Sequence, residues 1–461
     1  GDNIVVSDFG LIDQVAGTVR AYNTGAVTQV SSIRDDEGGG DTIITTASTS
    51  GRNWVLAGVG DDTIDLGDGG GVVIADHGQF TIHNAQHPLV AQSATVDKSL
   101  GGKDTITARD GSLWIIGGAD IDNIDIDDGD HIILGDSGTI TADVSQNLLD
   151  VQSSDLSVGA SETITVGDTL SGGSHFIIGG FGGDNITAGN GDAVIIGDAG
   201  QYSESHTVGS RQITLASTDP SNGGDDTIAH GDGDLLLVAG AGGDTITSGS
   251  GSAVIIGDDG DYTKDEAANR IVVRSVSEAY GGKDIITKTN GSSIVIGGLD
   301  GDEFSNEQGV STASTDVVIG DFGTYTTTHA GAFLSLVGQE ANALSTTGGA
   351  DTILTGTGTL YAIGGTGGDT ITNVGGDAFV FGDGGRIEAE NVAGFITLYE
   401  TLQDSVGGAD NIDATGVGSA HIFGGRAGDN INTGDGKDWI LGDHGILKRQ
   451  DSGLLIKIGR A

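Results

Sequence analysis

No cysteine occurs in the 461 residues, so neither a disulfide nor a thiolate metal site holds this chain together. Basic side chains are scarce as well. Nineteen Lys and Arg stand against 66 Asp and Glu, a formal net charge of -47, and no basic patch exists to neutralise phosphates, which excludes nucleic acid as a partner. No run of about 18 apolar residues appears, so the sequence contains no transmembrane helix. Prolines number two, aromatics make up 5% and hydrophobics 36%, too little for the core of a conventional globule of this length. So acidic and apolar-poor a composition is ordinarily that of a disordered chain. The sequence begins at Gly1 without a methionine or a signal-peptide pattern, and is therefore expected to be a processed chain or an excised segment.

What is present argues against disorder. There are 85 glycines, the apolar residues recur in short β-branched runs, and the acids sit at fixed offsets from glycines. An aspartate followed two residues later by glycine, after an apolar run, recurs at Asp8, Asp76, Asp136, Asp198, Asp258, Asp321, Asp383 and Asp443, at spacings of 68, 60, 62, 60, 63, 62 and 60 residues. One continuous array of seven repeats over residues 1–461 follows.

Inside each repeat lies a nine-residue pattern, G-G-x-G-x-D-x-U-x with U a large apolar residue. It is complete at 179–187 and 364–372 and nearly so at 57–65, 117–125, 239–247, 297–305 and 424–432. Its sixth position is Asp62, Asp122, Asp184, Asp244, Asp302, Asp369 and Asp429. A shortened form, G-G-x-D, precedes it with Asp41, Asp104, Asp226, Asp284, Asp351 and Asp410. Glycine lets the backbone turn through positive φ and bring its carbonyls close to an ion, and carboxylates supply the anionic oxygen that hard cations prefer. For one isolated turn, an aspartate bonding its own backbone accounts for the pattern. For seven in register, carboxylates would be forced to about 4.8 Å from one another, and bound cations would remove their repulsion. These thirteen aspartates, with Asp198, are the candidate metal ligands. The third repeat departs from the pattern, with Ser161-Glu162 at its first turn. Asp130, Asp192, Asp234, Asp377 and Asp438 mark a thinner set of acids half a turn away.

The nonapeptides resemble the repeats-in-toxin family of secreted calcium-binding proteins over essentially the whole chain. The resemblance implies Ca²⁺ as cofactor, several ions per chain, and a right-handed parallel β-roll, an all-β solenoid, with calcium-binding Gly/Asp turns. Eighteen residues, two nonapeptides, would form one coil. That is the separation of Ile106 and Ile124, Ile116 and Leu134, Ile178 and Ile196, Ile228 and Ile246, and Ile353 and Ile371. Two such apolar columns imply two thin sheets face to face. Insertions lengthen three intervals, Ile43 to Ile64, Ile164 to Ile186 and Ile296 to Ile319, and Ile412 to Ile431 slips by one. Between coil pairs lie return segments of about two dozen residues (79–100, 139–159, 201–222, 261–280, 324–347 and 386–406), whose period-two alternation predicts projecting β-hairpins.

No catalytic constellation appears. The ten histidines scatter without zinc-helix spacing, and the glycine turns lack the Lys-Ser/Thr of a phosphate loop. Threonine and asparagine flank the core isoleucines, as in Thr105-Ile106-Thr107 and Thr370-Ile371-Thr372. The expected function is therefore structural: a filament, stalk, surface-layer or adhesin segment, exported to a bacterial cell surface and folded there by Ca²⁺, pairing with itself or with other surface components. An ice- or carbohydrate-binding module, and the repeat section of a toxin or secreted enzyme, are the alternatives.

Overall fold

In the computed structural model of the chain, the columns of apolar residues are strand registers. Residues 2–14, 27–33, 38–47, 51–83, 87–93, 101–154, 159–167, 173–207, 210–276, 279–306, 314–338, 348–390, 395–402, 407–449 and 455–457 are described. Parts of the predicted return segments, such as 94–100 and 339–347, lie outside them. Backbone proximity divides the chain into two units, one of Gly1–Glu204 with Ser217–Gly233 and one of Ser205–Ala216 with Asp234–Ala461.

In the first unit Ile43, Ile64, Ile106, Ile124, Ile164, Ile186 and Ile228 are partners in successive parallel strands. Leu56, Ile74, Ile116, Leu134, Ile178 and Ile196 align the same way in a second parallel sheet. All of these side chains are buried. Each isoleucine withdrawn from water contributes on the order of 1.5–3 kcal/mol. The second unit repeats the arrangement with Ile246, Ile286, Phe304, Ile353, Ile371, Ile412 and Ile431 in one sheet. Its other parallel sheet aligns Val238, Ile256, Ile296, Ile319, Ile363, Phe381, Phe423 and Leu441. The strands on either side of the lengthened intervals keep their isoleucines in register, although Thr42–Ala47 takes up one extra residue as a bulge between Ile44 and Ala47.

The two kinds of sheet differ in cover. Strands of the first kind alternate, as in Asn185–Ala188, with one face exposed and one buried. This places the threonines and asparagines in solvent, in a row that Asp65, Asp125, Ile285, Glu303 and Leu354 interrupt. Strands of the second kind, such as Asn53–Leu56 and Gly71–Ile74, are buried on both faces. The return segments supply that second cover.

As alternation predicts, the return segments form hairpins: Gly78–His83 with His87–Ser93, Gly260–Asp265 with Arg270–Ser275, and Gly385–Ala389 with Ile396–Thr401. They also pair with one another, through Ala91 and Ile140, Val273 and Tyr325, Leu336 and Ile387, and Tyr399 and Leu447. Each unit thereby gains a third, antiparallel sheet. A lone hairpin leaves two open edges and an apolar face; pairing closes the edges, and packing covers the face. In two segments an early aromatic is the contact point: Phe80 stacks on Trp54 with ring centroids 5.8 Å apart, and Tyr202 meets Phe176 edge-on at 5.2 Å.

Candidate functional site: a buried aspartate ladder

Each strand of the half-exposed sheets starts one residue after a repeat aspartate or, at Thr163–Val166, after Glu162, so stacking the strands stacks these acids. The stack is held by hydrogen bonds in which a rung's backbone N–H donates to the next turn's carboxylate, except at Glu162, whose two carboxylate oxygens are buried and accept none among the described residues. Asp41 N donates to Asp62 Oδ1 (2.6 Å), Asp62 N to Asp104 Oδ1 (2.7 Å), and Asp104 N to Asp122 Oδ1 (2.9 Å). Glu162 N donates to Asp184 Oδ1 and Asp184 N to Asp226 Oδ1, both at 2.7 Å. In the second unit the bonds run from Asp244 N to Asp284, Asp284 N to Asp302 and Asp302 N to Asp351, each at 2.8 Å. They continue from Asp351 N to Asp369 (2.9 Å), Asp369 N to Asp410 (2.8 Å) and Asp410 N to Asp429 (3.1 Å). Glu162, whose repeat departs from the Gly-x-Asp pattern, occupies a rung nonetheless and is 1% exposed.

The other carboxylate oxygen of each rung is the unusual feature. Oδ2 of Asp62, Asp104, Asp122, Asp184, Asp302, Asp351, Asp369, Asp410 and Asp429 is buried and accepts no hydrogen bond among the described residues. Burial, with neighbouring carboxylates adding repulsion, raises these acids far above the ordinary aspartate range: Asp62 to about 7, Asp104 to about 9, Asp302 to about 11 and Asp369 to about 10. Asp122 is pushed up by the same causes.

Anchor aspartates behave differently. Asp198 pairs in register with Gly180, as the spacing of 18 predicts. Its carboxylate, however, reaches forward to accept from Gly224 N at 3.1 Å instead of joining the ladder. Asp76 likewise accepts from Gly102 N (3.3 Å) and Ala119 N (2.6 Å), and so ties together both coils of the next repeat. Asp258 and Asp383 bridge Gly282 with Leu299 and Gly408 with Arg426. This clamp was not legible from the motif, although its signal, two glycine pairs following anchors such as Asp76, Asp258 and Asp383, lies in the sequence. A Cβ on Gly180, at φ 127°, would stand 2.4 Å from Asp136 Oδ2. Gly180→Ala should therefore cost about 2 kcal/mol or more in a denaturant titration. Where the fourth position of the nonapeptide is not glycine, Asp120, Asp300 and Ala427 still hold positive φ, at 68°, 62° and 74°.

The half-turn acids are ordinary caps. Asp130 accepts from Ser174 N, Asp234 from Ser252 N and Asp377 from Ser419 N, all at exposed turns. Among the described residues no three His, Asp or Glu side chains converge as a metal cluster. What the ladder offers is a carboxylate oxygen and a glycine carbonyl at successive levels. Asp184 Oδ2 and Gly197 O both lie 2.2 Å from the point where a Cβ on Gly179 would stand, and Asp369 Oδ2 and Gly382 O stand equally close to that point on Gly364. Orphaned, buried carboxylate oxygens beside carbonyls fit a hard cation in donor chemistry. Comparison with protein-family models, with curated proteins and with solved structures finds no match to this chain.

Proposed function

We propose that the chain is a calcium-dependent structural repeat protein of the cell exterior, a filament, stalk or adhesin segment that folds when Ca²⁺ neutralises the aspartate ladder. The observation that carries this is the column of buried carboxylates with orphaned Oδ2 atoms. So many anions withdrawn from water need a proton or a cation each. At neutral pH a divalent cation is the more effective partner, and the adjacent carboxylate and carbonyl oxygens of Asp62, Asp104, Asp122, Asp184, Asp302, Asp351, Asp369, Asp410 and Asp429 would hold it. Rungs Asp41, Asp226, Asp244 and Asp284 would share in that role, while Asp198 serves as a clamp.

Ion-binding energy becomes folding energy when the sites do not exist in the unfolded chain. Low cytosolic Ca²⁺ would leave the chain extended for export, and external Ca²⁺, which extracellular modules typically bind at roughly 10⁻⁴–10⁻³ M, would fold it. Sheets that add strand upon strand suit a load-bearing role. The test is a calcium titration in chelator-treated buffer at neutral pH, followed by far-UV circular dichroism and electron microscopy. A coil-to-β transition near millimolar Ca²⁺, ending in rods or fibres, is expected. A chain already β-rich in chelator at neutral pH would remove the proposal.

A further inference from the structure

One stretch of the second unit's core buries a lysine and an aspartate where its neighbours carry uncharged side chains. The residue two places after the core isoleucine points inward: it is mostly hydrocarbon in the first unit, as at Leu66, Ile126 and Val166, and an uncharged polar group beside this stretch, as at Ser248, Thr355 and Asn373. After Ile286 and Phe304 it is Lys288 and Asn306, which are 2% and 0% exposed. On the facing sheet, the position three before Ile319 is Asp316, 2% exposed, where equivalent strands have uncharged groups such as Leu113, Leu235 and Leu360 or Asn53 and Ser293. An amine, a carboxamide and a carboxylic acid are thus buried at adjoining positions of one core.

Asn306 touches Asp316, and Lys288 lies on the strand beside Asn306. Strands Ile285–Asn290 and Glu303–Asn306 are parallel with Thr287 opposite Ser305, so Lys288 and Asn306 are the next pair along. Neighbouring strands lie about 4.8 Å apart. Lys288 Nζ donates to Asn290 O at 2.5 Å and to Gly249 O at 3.1 Å. Asn306 Nδ2 donates to the following carbonyl, Gly291 O, at 3.0 Å and to Asp316 Oδ1 at 3.0 Å. Ser293 Oγ donates to the same Asp316 oxygen at 2.6 Å. Asn306 Oδ1 is buried with no hydrogen-bond partner among the described residues, an arrangement that costs about 1–3 kcal/mol.

We propose that Lys288 and Asn306 become joined by an intramolecular amide, an isopeptide bond across adjacent strands, with Asp316 as the catalytic proton acceptor. Asp316 takes one proton from the Lys288 ammonium, and the neutral Nζ attacks Cγ of Asn306. The Cγ–Nδ2 bond then breaks, and the departing nitrogen takes a second hydrogen from Nζ and leaves as ammonia. The products are a secondary amide, ammonia and a neutral Asp316 carboxylic acid. No oxidant or external group is required. Burial raises the Asp316 carboxyl, which favours its holding the proton, against the lowering influence of Ser293, Asn306 and Lys288. The product also removes a buried ammonium and a buried carboxylate together.

Intact-mass spectrometry of the folded full chain tests this, with digestion after unfolding by a glutamate-specific protease. Cleavage after Glu303 and Glu307 separates Lys288 from the tetrapeptide 304–307 that carries Asn306. The expected result is a mass lower by one ammonia, with 304–307 recovered as a branch on the Lys288 peptide. Asp316→Asn should restore the full mass and release the free tetrapeptide, with an unchanged far-UV spectrum. Lys288→Met should do the same. A free 304–307 tetrapeptide from the unsubstituted chain overturns the proposal. So does a lost ammonia that maps to Asn290-Gly291, where ring closure onto the backbone gives the same mass without a branch.

Discussion

In the absence of divalent cations the chain should be more stable at about pH 5 than at about pH 8, the reverse of most acidic proteins. The sign follows from the ladder. Folded Asp62, Asp104, Asp302, Asp369 and Asp410 hold their protons to about 7, 9, 11, 10 and 7, whereas unfolded aspartate loses them near 3.8. A raised folded pKa contributes stability that is complete below the unfolded value and disappears as pH climbs through the folded one. Each such carboxyl therefore removes about 1.4 kcal/mol per pH unit across its window. Several titrating together exceed the typical stability of a whole domain, about 5–15 kcal/mol. Thermal melts in chelator, followed by circular dichroism from about pH 4 to pH 9, should show a steep fall in Tm with rising pH. Added Ca²⁺ should flatten that slope by replacing protons, and its binding should release them into weakly buffered solution. A cation-free stability that rises from pH 5 to pH 8 would mean that the rungs are neither desolvated nor coupled as their burial requires.

Substitution of a single rung should have opposite signs for two side chains of similar modest size. Asp369 is 1% exposed, its Oδ1 accepts from Asp351 N at 2.9 Å, and its Oδ2 lies against Gly364. Asp369→Ala removes the acceptor, strands the Asp351 N–H in the interior and leaves a void, so a loss of about 2–4 kcal/mol is expected in chelator at low pH, where the rung is protonated. Asp369→Asn keeps the acceptor and the shape but cannot ionise. In chelator at about pH 5, where the cation-free chain is at its more stable, it should raise stability relative to the unsubstituted chain, because the rung no longer has to take up a proton on folding. In saturating Ca²⁺ it should lower it, because a ligand oxygen is gone. Urea titrations of both variants, with and without Ca²⁺, give the four values needed. If Asn and Ala behaved alike in all conditions, the charge of the rung would be irrelevant and only its shape would count.

The amide between Lys288 and Asn306 would act in the same direction as the ladder, by fastening neighbouring coils against separation. The anchors work by a third means. Asp76, Asp136, Asp258 and Asp383 accept backbone N–H groups from the following repeat and pack against its glycines, so each repeat positions the turn of the next. That division of labour explains two aspartate populations with similar local sequence. A rung is followed by a threonine-, asparagine- or serine-flanked isoleucine strand, and an anchor closes an apolar strand and is followed two residues later by glycine.

The sequence alone determined the repeat, the strand registers and most of the rungs, but it grouped Asp198 with them and set Glu162 apart. Those follow from local periodicity: an apolar residue at a fixed offset from a glycine turn must land in the same column every coil, whatever lies around it. Even the lengthened interval from Ile296 to Ile319 was readable, because the inserted residues lie outside the paired strands. Three things were settled only by the tertiary structure. The hairpins close into a third sheet because edges and apolar faces left open by one segment are met by a segment some sixty residues away, as with Ala91 and Ile140. Asp198 and its counterparts clamp instead of stacking, because the direction of a carboxylate depends on which backbone N–H groups the next repeat presents. The meeting of Lys288, Asn306 and Asp316 depends on two facing sheets, and no spacing along the chain shows which residues will face each other across the core.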